Sequence, residues 1–158
     1  MKVSPEVIKH LNILLRNELT AINQYFLHSR MLGHMGLKRL EQKEYEESID
    51  EMKHADQLIK RILFLGGHPN LQDLGKLFTG ENPREMIEAD VKIEKIAHRD
   101  LLAALAACQK AGDNVSEQLV ESILKSEEEH MDWLQTQLRL MDRLGMEAYL
   151  QTQVHTEE

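Results

Sequence analysis

Six ionisable residues interrupt the apolar stripes of this chain where Leu or Ile would continue the pattern: Glu18, Glu51, His54, Glu94, Glu127 and His130. Their spacing repeats. Glu94 follows Glu18, Glu127 follows Glu51 and His130 follows His54 by the same number of positions. Each half of the chain therefore carries one separate Glu and then a Glu-x-x-His. The i, i+3 spacing sets that Glu and His side by side on a helix, aimed at one point. A carboxylate facing a core is costly unless it is paired or binds a metal ion. One Glu-x-x-His alone is commonly a solvated pair, but two of them with two further Glu in matching register form a ligand set. Four carboxylates and two imidazoles, with no thiolate, suit iron or manganese with room for O2, and two ions rather than one.

Long helices must position these groups. Ser4-Pro5 reads as a cap and a first helical position, where the missing N–H of proline costs nothing. Val7, Leu11, Leu14, Glu18, Ile22 and Tyr25 then recur at three- and four-residue steps. The second stripe is Ile49, Glu51, His54, Leu58, Ile62 and Leu65, closed by Gly66-Gly67-His68-Pro69. The third opens at Asn82-Pro83 and runs through Ile87, Asp90, Glu94, Ala97, Leu101, Leu105 and Cys108 to Gly112. The fourth starts near Asp113-Asn114, where Asn114 and Glu117 resemble a capping box. It carries Val120, Ile123, Glu127, His130, Leu134, Leu138 and Met141, and Gly145 ends it.

These signals predict helices over about 4–35, 37–65, 83–111, 114–144 and 146–153 in a single domain spanning 1–158. The segment at 66–82 is the exception to otherwise tight connections. A helix of ~26 residues is ~39 Å long, whereas roughly sixteen extended residues reach ~53–58 Å. That segment can cross the whole molecule. The fold class is all-α, a four-helix bundle with one long crossover between helices two and three and a short C-terminal helix.

Composition narrows the function classes. A net charge of −8 opposes nucleic acid and anionic lipid and favours metal cations. The polar start Met1-Lys2-Val3-Ser4-Pro5-Glu6 predicts no secretory segment, and no run approaches the ~20 apolar residues of a membrane span. The single Cys108 excludes an intrachain disulfide or a Cys-rich cluster, and reads as a small apolar residue. The expected location is the cytoplasm.

Four segments carry a family resemblance: Asn17 to His28 (NELTAINQYFLH), Glu47 to Asp56 (ESIDEMKHAD), Pro69 to Gly75 (PNLQDLG) and Glu127 to Leu134. Over essentially its whole length the chain resembles the bacterioferritins, the haem-containing branch of the ferritins. The two Glu plus two Glu-x-x-His arrangement is the known signature of di-iron carboxylate bundles. The resemblance implies a ferritin-like bundle with two iron ions per subunit. Glu51 and Glu127 would bridge them, Glu18 with His54 completing one iron and Glu94 with His130 the other. It also implies haem b, one per two subunits, with Met52 as axial ligand from both sides of a two-fold axis.

Spacing alone places Met52 on a second apolar stripe with Tyr45, Ile49 and Ile59, which equally describes packing at a subunit interface. Met31 lines the same haem pocket or packs in the core. Tyr25 either serves the ligand set, as electron donor or hydrogen-bond partner, or is a packed core tyrosine. Trp133 adjoins the fourth ligand face and reads as packing. His10, His28, His34, His68, His98 and His155 lack partners at ligand spacing and read as surface or packing residues. The family commonly has histidine where this chain has Glu46, paired with Asp50 to hold an extra iron on the inner wall. Glu46, Glu47 and Asp50 are expected on one exposed face, either a solvated acidic patch or one that draws Fe(II) inward and seeds mineral.

The resemblance implies an iron-storage ferroxidase. It would oxidise Fe(II) to Fe(III) and store ferric mineral in a hollow 24-subunit shell built from two-fold dimers, with or without a second bacterioferritin subunit. Haem would pass electrons inward for iron release from a small ferredoxin-type reductant. Two rivals use the same bundle. One is a haem electron-transfer protein with a merely structural metal centre; the other is a rubrerythrin-like peroxide reductase, whose usual Cys-rich module a chain with one cysteine lacks.

Overall fold

The computed structural model describes residues 3–156; Met1 and Lys2 of the polar start lie outside the described residues. The chain forms α1 (Pro5–His34), α2 (Lys38–Phe64), α3 (Pro83–Ala111), α4 (Asn114–Leu144) and α5 (Met146–Gln151), with no strand among the described residues. The last helix ends at Gln151, short of the expected 153.

The caps differ in chemistry. Asn82 accepts from the Glu85 N–H ahead of Pro83, as the sequence indicates. Ser4 precedes Pro5 in an extended conformation, but its side chain makes no cap bond. At α4 the cap is Asp113, not Asn114. Asp113 accepts from the Ser116 N–H at 3.0 Å and from Arg61 at 2.8 Å, so one carboxylate serves both the helix end and a neighbouring cation. Gly112 closes α3 at φ 68, the left-handed region that a Cβ disfavours.

α1 and α4 run in one direction and α2 and α3 in the other, because the crossover carries the chain back along the bundle before α3 begins. A single stripe of α1 holds that crossover. Asn12 donates to the His68 carbonyl and accepts from the Asn70 N–H, Arg16 pairs with Asp73, and Thr20 Oγ1 accepts from the Gly75 N–H at 2.8 Å. Gln24 Oε1 accepts from the Phe78 N–H at 2.9 Å, and His28 Nε2 from the Gly80 N–H at 3.1 Å. Residues four apart on a helix share a face, so one row of side chains accepts from four amides of a strap with no secondary structure, while Asn70 Oδ1 accepts from the Gln72 and Asp73 N–H groups within it.

Two apolar clusters fill the bundle ends. Val7, Leu11, Leu14, Leu15, Leu58, Ile62, Leu101, Cys108, Val120 and Ile123 pack at one end. Leu32, Leu40, Met86, Ile87, Leu134, Met141 and Tyr149 pack at the other. Each fully buried Leu or Ile contributes about 1.5–3 kcal/mol. The ionisable residues lie between these clusters. Of the four lateral pairs of helices, the α2 and α4 backbones approach each other least closely, and these are the helices that carry the two Glu-x-x-His pairs. Cys108 is buried and its thiol is pushed up to about 11 by burial, which makes it a poor nucleophile.

Candidate metal centre

The four long helices each send side chains into the space between the apolar clusters: Glu18 from α1, Glu51 and His54 from α2, Glu94 from α3, Glu127 and His130 from α4. Two groups form. In one, Glu18, Glu51, His54 and Glu127 bring ligand atoms within 4.8 Å of one another; in the other, Glu51, Glu94, Glu127 and His130 do the same. Glu51 and Glu127 belong to both, so each carboxylate reaches both positions. All are buried except His54, which keeps a small opening to solvent.

Hydrogen bonding does not account for this assembly. His54 Nδ1 lies 3.3 Å from Glu127 and 3.6 Å from Glu18, and His130 Nδ1 lies 3.2 Å from Glu94. Yet Glu18 Oε2, His54 Nδ1, Glu94 Oε2, both Glu127 oxygens and His130 Nε2 are buried without a hydrogen-bond partner. Unpartnered buried polar atoms are rare and expensive. Converging from four helices, they fit two divalent cations, and oxygen with nitrogen donors fits iron or manganese.

Electrostatics agree. Burial, then the Glu127 charge, raises Glu18 to about 7; burial, then Glu51, raises Glu127 to about 8. Glu51 and Glu94 are also pushed well up, chiefly by burial. Burial alone would lower His54, but Glu127, Glu18 and Glu51 outweigh it and hold the imidazole up to about 12. The sign of the pH dependence follows. Carboxyls raised in the fold stabilise it fully below their ordinary 4.5, and that contribution is lost as pH rises through about 7 to 8. The Tm of metal-free protein is therefore expected to fall between pH 5 and pH 8.5. Saturating Zn(II), which displaces the protons, should raise Tm more at pH 8.5 than at pH 5. Calorimetry across that range checks this; an equal rise at both ends contradicts it.

A family model described as Ferritin-like domain matches residues 8–144. The chain is 49% identical over 149 residues to a bacterioferritin of Brucella melitensis biotype 1 and 48% identical to one of Rhodobacter capsulatus, covering 94% of this chain and 92% of each relative. Bacterioferritin BfrA of Mycobacterium tuberculosis is 46% identical, covering 94% of both chains. The chain belongs to the bacterioferritin family.

In this bacterioferritin chain, Tyr25 is fully buried and its hydroxyl donates to Glu94 Oε1. Its ring meets His130 edge-on at 5.1 Å. Burial and the Glu94 charge raise the phenol well above its ordinary value, so it remains a donor. Trp133 stacks with His130 at 6.4 Å, and the Lys43 ammonium lies over the Trp133 ring at 5.1 Å.

The acidic patch expected on one exposed face divides in two. Glu46 is exposed and accepts from Gln42, and Asp50 is half-buried. Glu47 is buried instead: it pairs with Lys43 at 2.9 Å and lies 3.5 Å from His130 Nδ1. The reason is periodicity. Glu47 is four residues before Glu51 and so shares the ligand stripe, while Glu46 and Asp50 share the neighbouring one. Met52 is 53% exposed, with Tyr45, Phe26 and Phe64 among the other large apolar residues on the surface of α1 and α2. His98 is an exposed partner of Glu128 at 2.9 Å. His28, read from the sequence as a surface or packing residue, and Glu44, which the sequence reading did not single out, are both buried beside Asp90. The signal was present: Glu44 lies one heptad before Glu51 and therefore on the same inward face.

Proposed function

We propose that this chain is an iron-storage ferroxidase that oxidises Fe(II) to Fe(III) at the centre between its four helices, in the cytoplasm. The observation that carries the reading is the pair of overlapping ligand groups with their buried, unpartnered donor atoms. Fe(II) is the substrate. It is held by Glu18 with His54 and by Glu94 with His130, with Glu51 and Glu127 shared. Four carboxylates balance two Fe(II), and they favour the ferric product more, because a harder and more highly charged cation gains more from oxygen donors. With O2 as oxidant, two Fe(II) give two electrons, and two protons complete hydrogen peroxide. The carboxyls that release protons on binding metal supply them. Tyr25 holds Glu94 in place throughout.

The same reading places the ferric product in a 24-subunit shell of two-fold dimers, with Glu46 and Asp50 on its inner wall. The exposed apolar face around Met52 is what a two-fold interface and a shared haem b would cover. A small ferredoxin-type reductant would supply that haem with electrons for iron release.

Stopped-flow absorbance tests the assignment. Metal-free protein given increments of Fe(II) should show a rapid ferric rise that saturates at two per subunit, followed by a slower rise at high loading. No rapid phase would favour the haem electron-transfer reading. In Glu46→Ala with Asp50→Ala the rapid phase should be unchanged and the slow phase slower. These like charges four apart on a helix repel by only ~0.2–0.5 kcal/mol, so their removal leaves the fold intact. An unaltered slow phase would make the pair a solvated face.

A further inference from the structure

The α1 stripe that grips the crossover ends in a second buried cluster, which iron oxidation does not use. His28 of α1, Glu44 of α2 and Asp90 of α3 bring potential ligand atoms within 4.8 Å of one another, and all three side chains are buried. The Gly80 N–H donates to His28 Nε2 at 3.1 Å. A backbone amide only donates, so Nε2 carries no proton; the neutral ring holds it on Nδ1 and donates to Asp90 Oδ1 at 2.9 Å. Gln24 Nε2 donates to the same oxygen at 2.9 Å. Two donors therefore fix one side of the Asp90 carboxylate and aim the other inward.

What it is aimed at has no hydrogen-bond partner. Asp90 Oδ2 and both Glu44 oxygens are buried and unbonded, and every other such side-chain atom among the described residues belongs to the six residues of the metal centre. The neighbouring Glu44 and Asp90 carboxylates can be satisfied in two ways. A shared proton joins Glu44, whose carboxyl burial and then the Asp90 charge push well up, to Asp90 and leaves an oxygen bare; a cation binds both carboxylates. The two carboxylates would balance a divalent charge, with water completing its coordination.

We propose that Glu44 and Asp90 hold a third divalent cation in each subunit, of the oxygen-seeking kind such as Mn(II), Mg(II) or Fe(II). His28 is its positioning residue and not a ligand, since its Nδ1 proton faces Asp90. The ion would join α2 to α3 across the diagonal of the bundle, where the two helices do not pack on each other. It is separate from the pair of ions proposed for oxidation, and neither reading depends on the other.

Mn(II) is the probe. Crystals of the metal-free full chain, soaked in Mn(II), should show an anomalous peak between Glu44 and Asp90 besides those at the centre. Glu44→Gln should lose that peak and keep the others, and should bind one Mn(II) fewer per subunit by electron paramagnetic resonance. A filled centre with nothing between Glu44 and Asp90 overturns the proposal. An infrared carbonyl band of a protonated acid, absent from Glu44→Gln, would then assign the shared proton. A peak at Glu44–Asp90 beside an empty centre would uphold this site and count against the ferroxidase reading. Because the wild-type peak alone decides, a variant that fails to fold leaves the test intact.

Discussion

Glu127→Ala is expected to abolish rapid Fe(II) oxidation while the subunits still assemble. Glu127 belongs to both ligand groups, so removing it takes a donor from both metal positions at once. Disturbing the outer partners of a metal ligand costs 10–100-fold in affinity or activity, and losing a shared ligand should cost about 100-fold or more in the rate of the fast phase. The fold should tolerate the change. In metal-free protein this carboxyl is buried and raised to about 8 by burial and then the Glu51 charge, so its loss removes a group that the fold holds at a cost, although His54 loses its nearest acceptor. His54 keeps Glu18 and Glu51 beside it. Stopped-flow absorbance at two Fe(II) per subunit reads the result, with light scattering to check that the subunits assemble. Fast oxidation surviving in an assembled variant would remove Glu127 from the site.

Met52→Leu should remove haem and leave iron oxidation unchanged. The thioether is more than half exposed on the outer face of α2, whereas the candidate metal centre faces inward. One chain offers one such thioether, so an iron held from both sides needs two chains related by a two-fold axis. Leu conserves the volume, and swaps of that kind cost under ~1.5 kcal/mol, so the interface should still form. The variant is expected to assemble with no haem absorbance on reconstitution and a normal fast phase of Fe(II) oxidation. Haem retained at one per two subunits would show that Met52 is interface packing.

How much of this was legible beforehand can be seen residue by residue. Val7, Leu11, Leu14, Leu58, Ile62 and Leu134 lie on stripes whose period names both the helix and its inward face, so the all-α bundle with a long crossover followed from spacing. The six centre residues were legible for the same reason: they break those stripes twice in matching register. Glu47 shows the limit of reading charge as exposure. Its helical position already placed it with Glu51, and a run of acidic residues concealed that.

The sequence by itself determined the helices, their inward faces, the clustering of six carboxylate and imidazole side chains and, through the segments that carry the resemblance, the family. Only the tertiary structure decided what lies between helices. Side-chain spacing within one helix is local, whereas contact between α1, α2 and α3 depends on how far apart and in what rotation the helices pack. Hence Glu44, His28 and Asp90, scattered along the chain, were separate facts until packing joined them. The crossover is the same case. It has no periodicity of its own, and its path was set by the row Asn12, Arg16, Thr20, Gln24 and His28 on another element. Hydrogen bonds between distant segments form only once the chain is folded, so no local pattern announces them.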